Sequence, residues 1–212
     1  MLLILLIIVL FGVYASAFIG SGVYIKTVCR MKTEKKSVTL TFDDGPDPKQ
    51  TPQILDILRE NNVKAIFFCI GSRAEANPDI VRRIASEGHT IGNHSYSHSP
   101  FFPLFGRKKM MEDLKRCEEV LFNITGERPT LFRPPFGVTN PTIAYAVRKL
   151  GYKTIGWSIR SLDTMKIDAT ERVTKRLHNG AIILLHDNLT GSELLLREII
   201  TQLKKRDYEI EK

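Results

Sequence analysis

Residues 37–46 read SVTLTFDDGP and combine a strand pattern with a polar turn. Val38, Leu40 and Phe42 alternate with threonine or serine, which is the two-residue period of a β-strand. The strand runs directly into Asp43 and Asp44, and the Asp-Gly-Pro that follows is favourable turn chemistry. Because adjacent carboxylates repel each other, such a pair marks either a solvated turn or a cation site.

Strand and helix signals alternate from this strand to the end of the chain. Apolar runs at residues 65–70, 152–159 and 181–185 predict strands, and amphipathic stretches such as 107–122 and 192–206 predict helices. The pattern amounts to about seven strands with six intervening helices, which is typical of a parallel sheet covered by helices. An open doubly wound sheet and a closed barrel both fit this α/β pattern.

The composition of the 212 residues is that of a folded protein, with 43% hydrophobic and 25% charged residues. These values exclude a disordered or low-complexity chain. The three cysteines form no CxxC pair, which argues against a disulfide framework and a cysteine-ligated zinc site. The net charge is +8, but five basic residues and one acid fall within residues 26–36. Because so much of the excess is local, it does not indicate nucleic-acid binding, and no protein partner is inferred.

Residues 1–25 carry no charge and open with a long apolar run. About 20 apolar residues suffice for a membrane-spanning helix. We therefore interpret residues 1–25 as a transmembrane anchor or signal-anchor in contact with lipid, residues 26–36 as a basic juxtamembrane segment, and residues 37–212 as one domain. A cleaved signal with Ala15-Ser16-Ala17 as its cleavage site is the alternative, weakened because no basic residue precedes the apolar run.

Polar side chains recur at the ends of the predicted strands. The carboxyl ends of parallel strands meet at one rim, where parallel α/β proteins have their active sites. We therefore expect these side chains to converge. They are Asp43, Asp44, His94, His98, Arg133, Asp163 and His186.

The chemistry of these residues favours a metal site with an acid and a base. His94 and His98 are four residues apart, a spacing that predicts both rings on one side of a helical turn. An isolated pair of this kind is usually structural, but two imidazoles and a carboxylate such as Asp44 form a common catalytic metal set.

Two further pairs complete the predicted chemistry. His186 beside Asp163 would be held as an imidazolium able to donate a proton. Arg133 precedes two prolines that stiffen the backbone, and near Asp43 it would keep that carboxylate ionised.

These motifs, in this order, resemble those of the polysaccharide deacetylase family, which is carbohydrate esterase family four with the NodB-homology domain. The matching segments are TFDDGP (41–46), HSYSH (94–98), RPPFG (133–137) and LLH (184–186). The resemblance covers residues 37–212. It implies a distorted (β/α)7 barrel of parallel strands, here preceded by one N-terminal transmembrane helix.

The resemblance also implies a role for each motif residue. Asp44, His94 and His98 would bind a divalent metal, typically Zn2+. Asp43 would be the general base for the attacking water, with Arg133 positioning it.

The remaining implied roles concern the leaving group and the substrate. His186 would be the general acid that protonates the leaving amine, and Asp163 would tune it. Leu184 would border the pocket for the acetyl methyl group, and the backbone N–H near Phe136 would help to bind the oxyanion.

The activity implied is metal-dependent hydrolysis of the N-acetyl group of an amino sugar in peptidoglycan, a chitin-like glycan or a lipid-linked saccharide. The alternatives are a catalytically silent, membrane-tethered carbohydrate-binding protein and a deformylase of similar fold. We expect a single-pass membrane protein with its catalytic domain outside the cytoplasm. The positive-inside rule would instead keep residues 26–36 in the cytoplasm, so the orientation stays open.

The fourth motif departs from the family pattern. The family commonly has Asp-x-x-Asp-Trp, whereas residues 160–164 read RSLDT. Asp163 is kept, but Arg160 replaces the first aspartate and Thr164 the tryptophan. The substrate groove is therefore expected to differ in shape, and the added guanidinium indicates either an anionic group on the substrate or a different tuning of the acid.

Overall fold

The computed structural model describes residues 1–211, and nine short strands form its single sheet. The strands are β1 (Thr27–Val28), β2 (Ser37–Asp43), β3 (Ile66–Cys69), β4 (Thr90–Asn93), β5 (Leu131–Phe132), β6 (Lys153–Ile155), β7 (Ile159–Arg160), β8 (Ala181–His186) and β9 (Glu209–Ile210). Their order is β1-β6-β5-β4-β3-β2-β8-β7, with β9 on the start of β2, and all named strands pair in parallel. Within residues 1–211, β1 and β7 do not pair with each other, so the predicted barrel is a curled half-barrel.

Residues 1–211 contain eight α-helices. They are α1 (Leu2–Ala17), α2 (Gln50–Glu60), α3 (Gly71–Ala76), α4 (Pro78–Ser86), α5 (Arg107–Thr125), α6 (Pro141–Leu150), α7 (Ala169–Lys175) and α8 (Ser192–Lys205). Single turns of 3-10 helix cover Phe102–Leu104 and Pro135–Gly137. The predicted helices 107–122 and 192–206 correspond to α5 and α8. Asparagine followed by proline marks the starts of α4 and α6, and glycine follows the ends of α5 and α6.

Alternation along β8 separates the two faces of the sheet. Ile183 and Leu185 pack in the core beneath the helices, whereas Ile182 packs inside the half-barrel with residues of β3 and β6. Since side chains alternate along a strand, Leu184 and His186 share the interior face with Ile182. β2 lies at the centre, buried on both faces between β3 and β8, and it delivers Asp43 and Asp44 to the same edge as His186.

The N-terminal segment differs from the prediction. α1 has 16 residues and ends at Ala17. Within residues 1–211, none of the helices combines the length and apolar character needed for a membrane crossing, so a spanning helix over residues 1–25 is not supported. The end of α1 is hydrogen-bonded to the folded domain. The Thr139 backbone N–H donates to the Ser16 carbonyl at 2.9 Å, and its Oγ1 donates to the Ala15 carbonyl at 3.0 Å.

Two further differences arise around Gly156. The strand β1, which was not predicted, lies within residues 26–36 and pairs with β6. The predicted strand 152–159 is split into β6 and β7 by residues 156–158. A Cβ at Gly156 would lie 2.7 Å from Cys29 Sγ, so only glycine lets the two chain segments approach this closely.

Candidate active site

The first carboxylate pair stands at the end of the central strand. Asp43 is the last residue of β2 and is in register with His186 of β8. Asp44 follows with φ of 72°, a left-handed conformation that is uncommon outside glycine but is enriched in aspartate. Arg73 Nη1 donates to the Asp44 carbonyl at 2.9 Å and holds the turn. A Cβ at Gly45 would overlap the buried Asp187 carboxylate, so glycine is required there.

The three predicted metal ligands converge. His94 Nε2 lies 3.4 Å and His98 Nε2 3.2 Å from Asp44 Oδ1, and one ligand atom from each residue lies within 4.8 Å of the others. The prediction of a helical turn for the two histidines is wrong. Ser95 and His98 have positive φ values of 69° and 43°, so an irregular loop brings the rings together. The loop is closed by a hydrogen bond from the His98 N–H to Ser95 Oγ at 2.9 Å.

The donor chemistry of this cluster fits a divalent metal. His94 Nδ1 lies 2.8 Å from the Arg133 carbonyl oxygen, to which only an N–H can donate, so Nε2 faces Asp44. Burial by itself would raise the pKa of Asp44, but the neighbouring imidazoles outweigh burial and hold it well below its usual range. Burial, assisted by the charge of His94, lowers the pKa of His98 to about 4. A carboxylate oxygen facing two imidazole nitrogens at these distances is a donor set that zinc accepts.

Asp43 is held by a buried arginine. Arg133 is fully buried, and its Nη1 donates to Asp43 Oδ1 at 2.7 Å and to Thr41 Oγ1 at 2.8 Å. The other guanidinium nitrogens donate to the carbonyls of Ile155 and Gly156. Asp43 Oδ2 lies 3.8 Å from His94 Nε2. One oxygen of Asp43 is thus fixed by the guanidinium, and the other faces the metal cluster.

His186 and Asp163 form the second predicted pair. His186 Nδ1 lies 2.8 Å from Asp163 Oδ1, and the His186 backbone N–H donates to Asp163 Oδ2 at 2.8 Å. Burial by itself would lower the pKa of His186, but the Asp163 carboxylate outweighs burial and raises it. The Nε2 atom of the ring takes no part in this pair.

The two predicted substrate-binding residues border this site. Phe136 has φ of 61° and is 51% exposed, and its ring centroid lies 4.8 Å from that of His98. Leu184 is buried on the interior face two residues before His186.

Sequence reasoning missed two contributors, Arg73 and Trp157. The Trp157 ring lies 5.6 Å from the Arg133 guanidinium carbon and packs against Gly137. The sequence did offer a signal for Trp157, since it is the single tryptophan of the chain and lies within the predicted strand 152–159.

A parallel half-barrel whose rim brings together paired carboxylates, a histidine–aspartate pair and a possible metal-binding cluster fits metal-assisted hydrolysis. The sequence profile described as polysaccharide deacetylase matches residues 30–155. The chain belongs to the polysaccharide deacetylase family.

Curated relatives and a solved structure agree with this assignment. A peptidoglycan-N-acetylglucosamine deacetylase of Bacillus cereus is 39% identical over 201 residues, covering 91% of this chain and 68% of the relative. The deacetylase PgdA of Listeria monocytogenes is 35% identical over 195 residues, and the match covers 91% of this chain but 41% of that relative. The chain thus spans about two fifths of the length of PgdA. The crystal structure of the Bc1960 peptidoglycan N-acetylglucosamine deacetylase has 36% identity and a TM-score of 0.81, covering 87% of this chain and 89% of that one.

Proposed function

We propose that this protein hydrolyses the N-acetyl group of an amino sugar in peptidoglycan, releasing acetate and leaving a free amine on the sugar. The observation that carries the proposal is that the Asp43–Arg133 pair and His186, in register on neighbouring strands, stand at the same rim as the Asp44–His94–His98 cluster. The similar proteins of B. cereus and L. monocytogenes bear the name of this activity.

The base acts on the attacking water. A divalent metal such as zinc, held by Asp44, His94 and His98, would supply acidification of that water and polarisation of the amide carbonyl. Asp43 takes the proton of the water at Oδ2, the oxygen that faces the cluster. Arg133 keeps the opposite oxygen in place through its hydrogen bond to Oδ1.

The acid acts on the leaving group. As the new carbon–oxygen bond forms and the carbon–nitrogen bond breaks, His186 donates a proton from Nε2 to the sugar nitrogen. Asp163 orients the ring through Nδ1 and stabilises its protonated form. The backbone N–H near Phe136 would stabilise the negative charge on the former carbonyl oxygen, and Leu184 would border the methyl group of the acetyl.

We also propose that α1 contacts lipid and holds the domain at a membrane on the side of the glycan. The support is an uncharged helix whose large side chains face solvent, with Leu2, Leu6 and Leu10 exposing 85%, 53% and 58% of their surface. Co-sedimentation with phospholipid vesicles tests this. Leu6→Glu with Leu10→Glu should release the protein, whereas Leu194→Glu on α8 should not. Because α1 would hold the domain at a membrane, a lipid-linked saccharide is also a candidate substrate.

The activity is tested by incubating the metal-loaded chain with N-acetylated peptidoglycan strands and chitooligosaccharides. We expect acetate release together with loss of acetyl mass from the glycan, and no release by Asp43→Asn. Metal-loaded protein that binds glycan but releases no acetate would support the silent carbohydrate-binding alternative. Release of formate from N-formylated glycan alone would support the deformylase.

A further inference from the structure

Arg160 is one of the two residues of the fourth motif that depart from the family pattern, and it lies on the interior face of the half-barrel. In the parallel pairing of β7 with β8, Ile159 is in register with Ile183 and Arg160 with Leu184. Ile159 and Ile183 are both fully buried in the core beneath the helices. Because registered neighbours point to the same side of a sheet, Arg160 leaves β7 on the interior face, beside Leu184 and His186.

The guanidinium of Arg160 lies near the rest of the site. Its central carbon is 5.9 Å from the centre of the Trp157 ring, and that of Arg133 is 5.6 Å from the same ring. Trp157 in turn packs against Gly137, next to Phe136. Both guanidinium groups therefore lie near the indole ring of Trp157. Arg133 is buried and binds Asp43, whereas Arg160 is exposed at the rim of the half-barrel.

The charge of Arg160 has no acidic partner in the part of the chain that the structure describes. No hydrogen bond or ion pair joins its side chain to another residue of that part. Asp163 is the nearest acid along the chain, and both of its carboxylate oxygens are taken by His186. The backbone of β7 is fixed, since Arg172 Nε donates to the Arg160 carbonyl at 2.8 Å. A positioned guanidinium without an acidic partner is suited to an anion supplied from outside, and its planar fork of donors matches the two oxygens of a carboxylate.

We propose that Arg160 binds a carboxylate carried by the glycan beside the sugar that is deacetylated. The proposal rests on the deacetylase function proposed above. A chitin-like chain carries no such group, whereas peptidoglycan offers two sources of carboxylate. One is the lactyl group of N-acetylmuramic acid where its peptide stem has been removed, and the other is the peptide stem itself.

The test crosses variants with substrates of known charge. The substrates are a tetrasaccharide of alternating N-acetylglucosamine and N-acetylmuramic acid with free lactyl carboxylates, its methyl ester, and the stem-bearing form. The wild type should favour a charged form over the ester about tenfold in kcat/KM, the scale of one hydrogen bond to a charged group. Arg160→Gln should lose this preference through KM, with activity on the ester unchanged. Arg160→Lys should keep part of it, and Arg176→Gln, an exposed arginine after α7, should keep all of it.

Each outcome decides the proposal. A preference for the free acid identifies the lactyl group as the source, and a preference confined to the stem-bearing form identifies the stem. An equal charge preference in the wild type and Arg160→Gln overturns the proposal. The proposal is also overturned if Arg160→Gln lowers kcat/KM equally on the acid and the ester and shifts the pH profile. That result would mean that Arg160 acts by changing the pKa of His186. If the wild type releases no acetate, which would refute the proposed function, calorimetric binding of the acid and the ester gives the same comparison.

Discussion

Replacing Arg133 with methionine should destabilise the protein strongly. The guanidinium is 0% exposed and makes hydrogen bonds to Asp43, Thr41 and the carbonyls of Ile155 and Gly156. Methionine keeps apolar bulk in the site but leaves the Asp43 carboxylate, which is 4% exposed, without its cation. Removing one partner of a buried pair costs about 3–5 kcal/mol, and we expect a loss of this size in the free energy of unfolding.

A second substitution separates the charge from the packing. The double variant Arg133→Met with Asp43→Asn has no unpaired buried charge, but the carbonyls of Ile155 and Gly156 still lack their hydrogen-bond donors. The double variant should therefore recover about 2 kcal/mol relative to the sum of the single effects. Arg82→Met, which breaks an exposed pair with Asp79, should cost less than about 1 kcal/mol.

Urea unfolding of the chelator-treated proteins measures these differences without the contribution of a metal. Circular dichroism reports the fold as a whole, and the fluorescence of Trp157, the single tryptophan, reports the site beside Arg133. The reasoning is refuted if Arg133→Met costs less than about 1 kcal/mol, or if the two single effects simply add in the double variant.

Three further predictions concern the metal, the acid and the turn. His98→Ala should lose bound zinc and activity together, whereas Asp43→Asn should lose only activity. Elemental analysis measures the zinc and acetate release measures the activity. A fully metallated His98→Ala protein would disprove the ligand assignment. Asp163→Asn removes the hydrogen-bonded carboxylate that raises the pKa of His186, so only Asp43 and Asp44 still oppose burial and the ring loses its proton at lower pH. The alkaline limb of the kcat/KM profile should therefore move to lower pH, and an unmoved limb would exclude this pairing. Gly45→Ala forces a Cβ into a buried carboxylate and should lower stability by about 1–3 kcal/mol in thermal unfolding, while a neutral effect would contradict the close packing.

The residues of the site could be predicted because they stand at the ends of strands with clear patterns. β2 alternates over its whole length, and the parallel topology then requires Asp43, Asp44 and His186 to share one edge. Their distances could not be predicted in the same way. The loop between His94 and His98 departs from the helical turn that their spacing suggests, because Ser95 and His98 adopt positive φ.

The elements that sequence reasoning misplaced depend on contacts between distant parts of the chain. β1 lies in a basic segment without a strand period, and it forms because β6 offers an unpaired edge. α1 is apolar through its whole length, and the position of its end reflects hydrogen bonds from Thr139, more than 120 residues away. Local composition carries no signal for either, since both are decided by tertiary pairing.

The most direct measurement is acetate release from an N-acetylated peptidoglycan glycan while zinc is titrated into the chelator-treated chain. Release should rise with added metal, level off at one zinc per chain, and stay at background throughout the same titration of His98→Ala. Release that does not depend on added metal, or none from a fully loaded wild type, would contradict the assignment of Asp44, His94 and His98 as the metal site of a deacetylase.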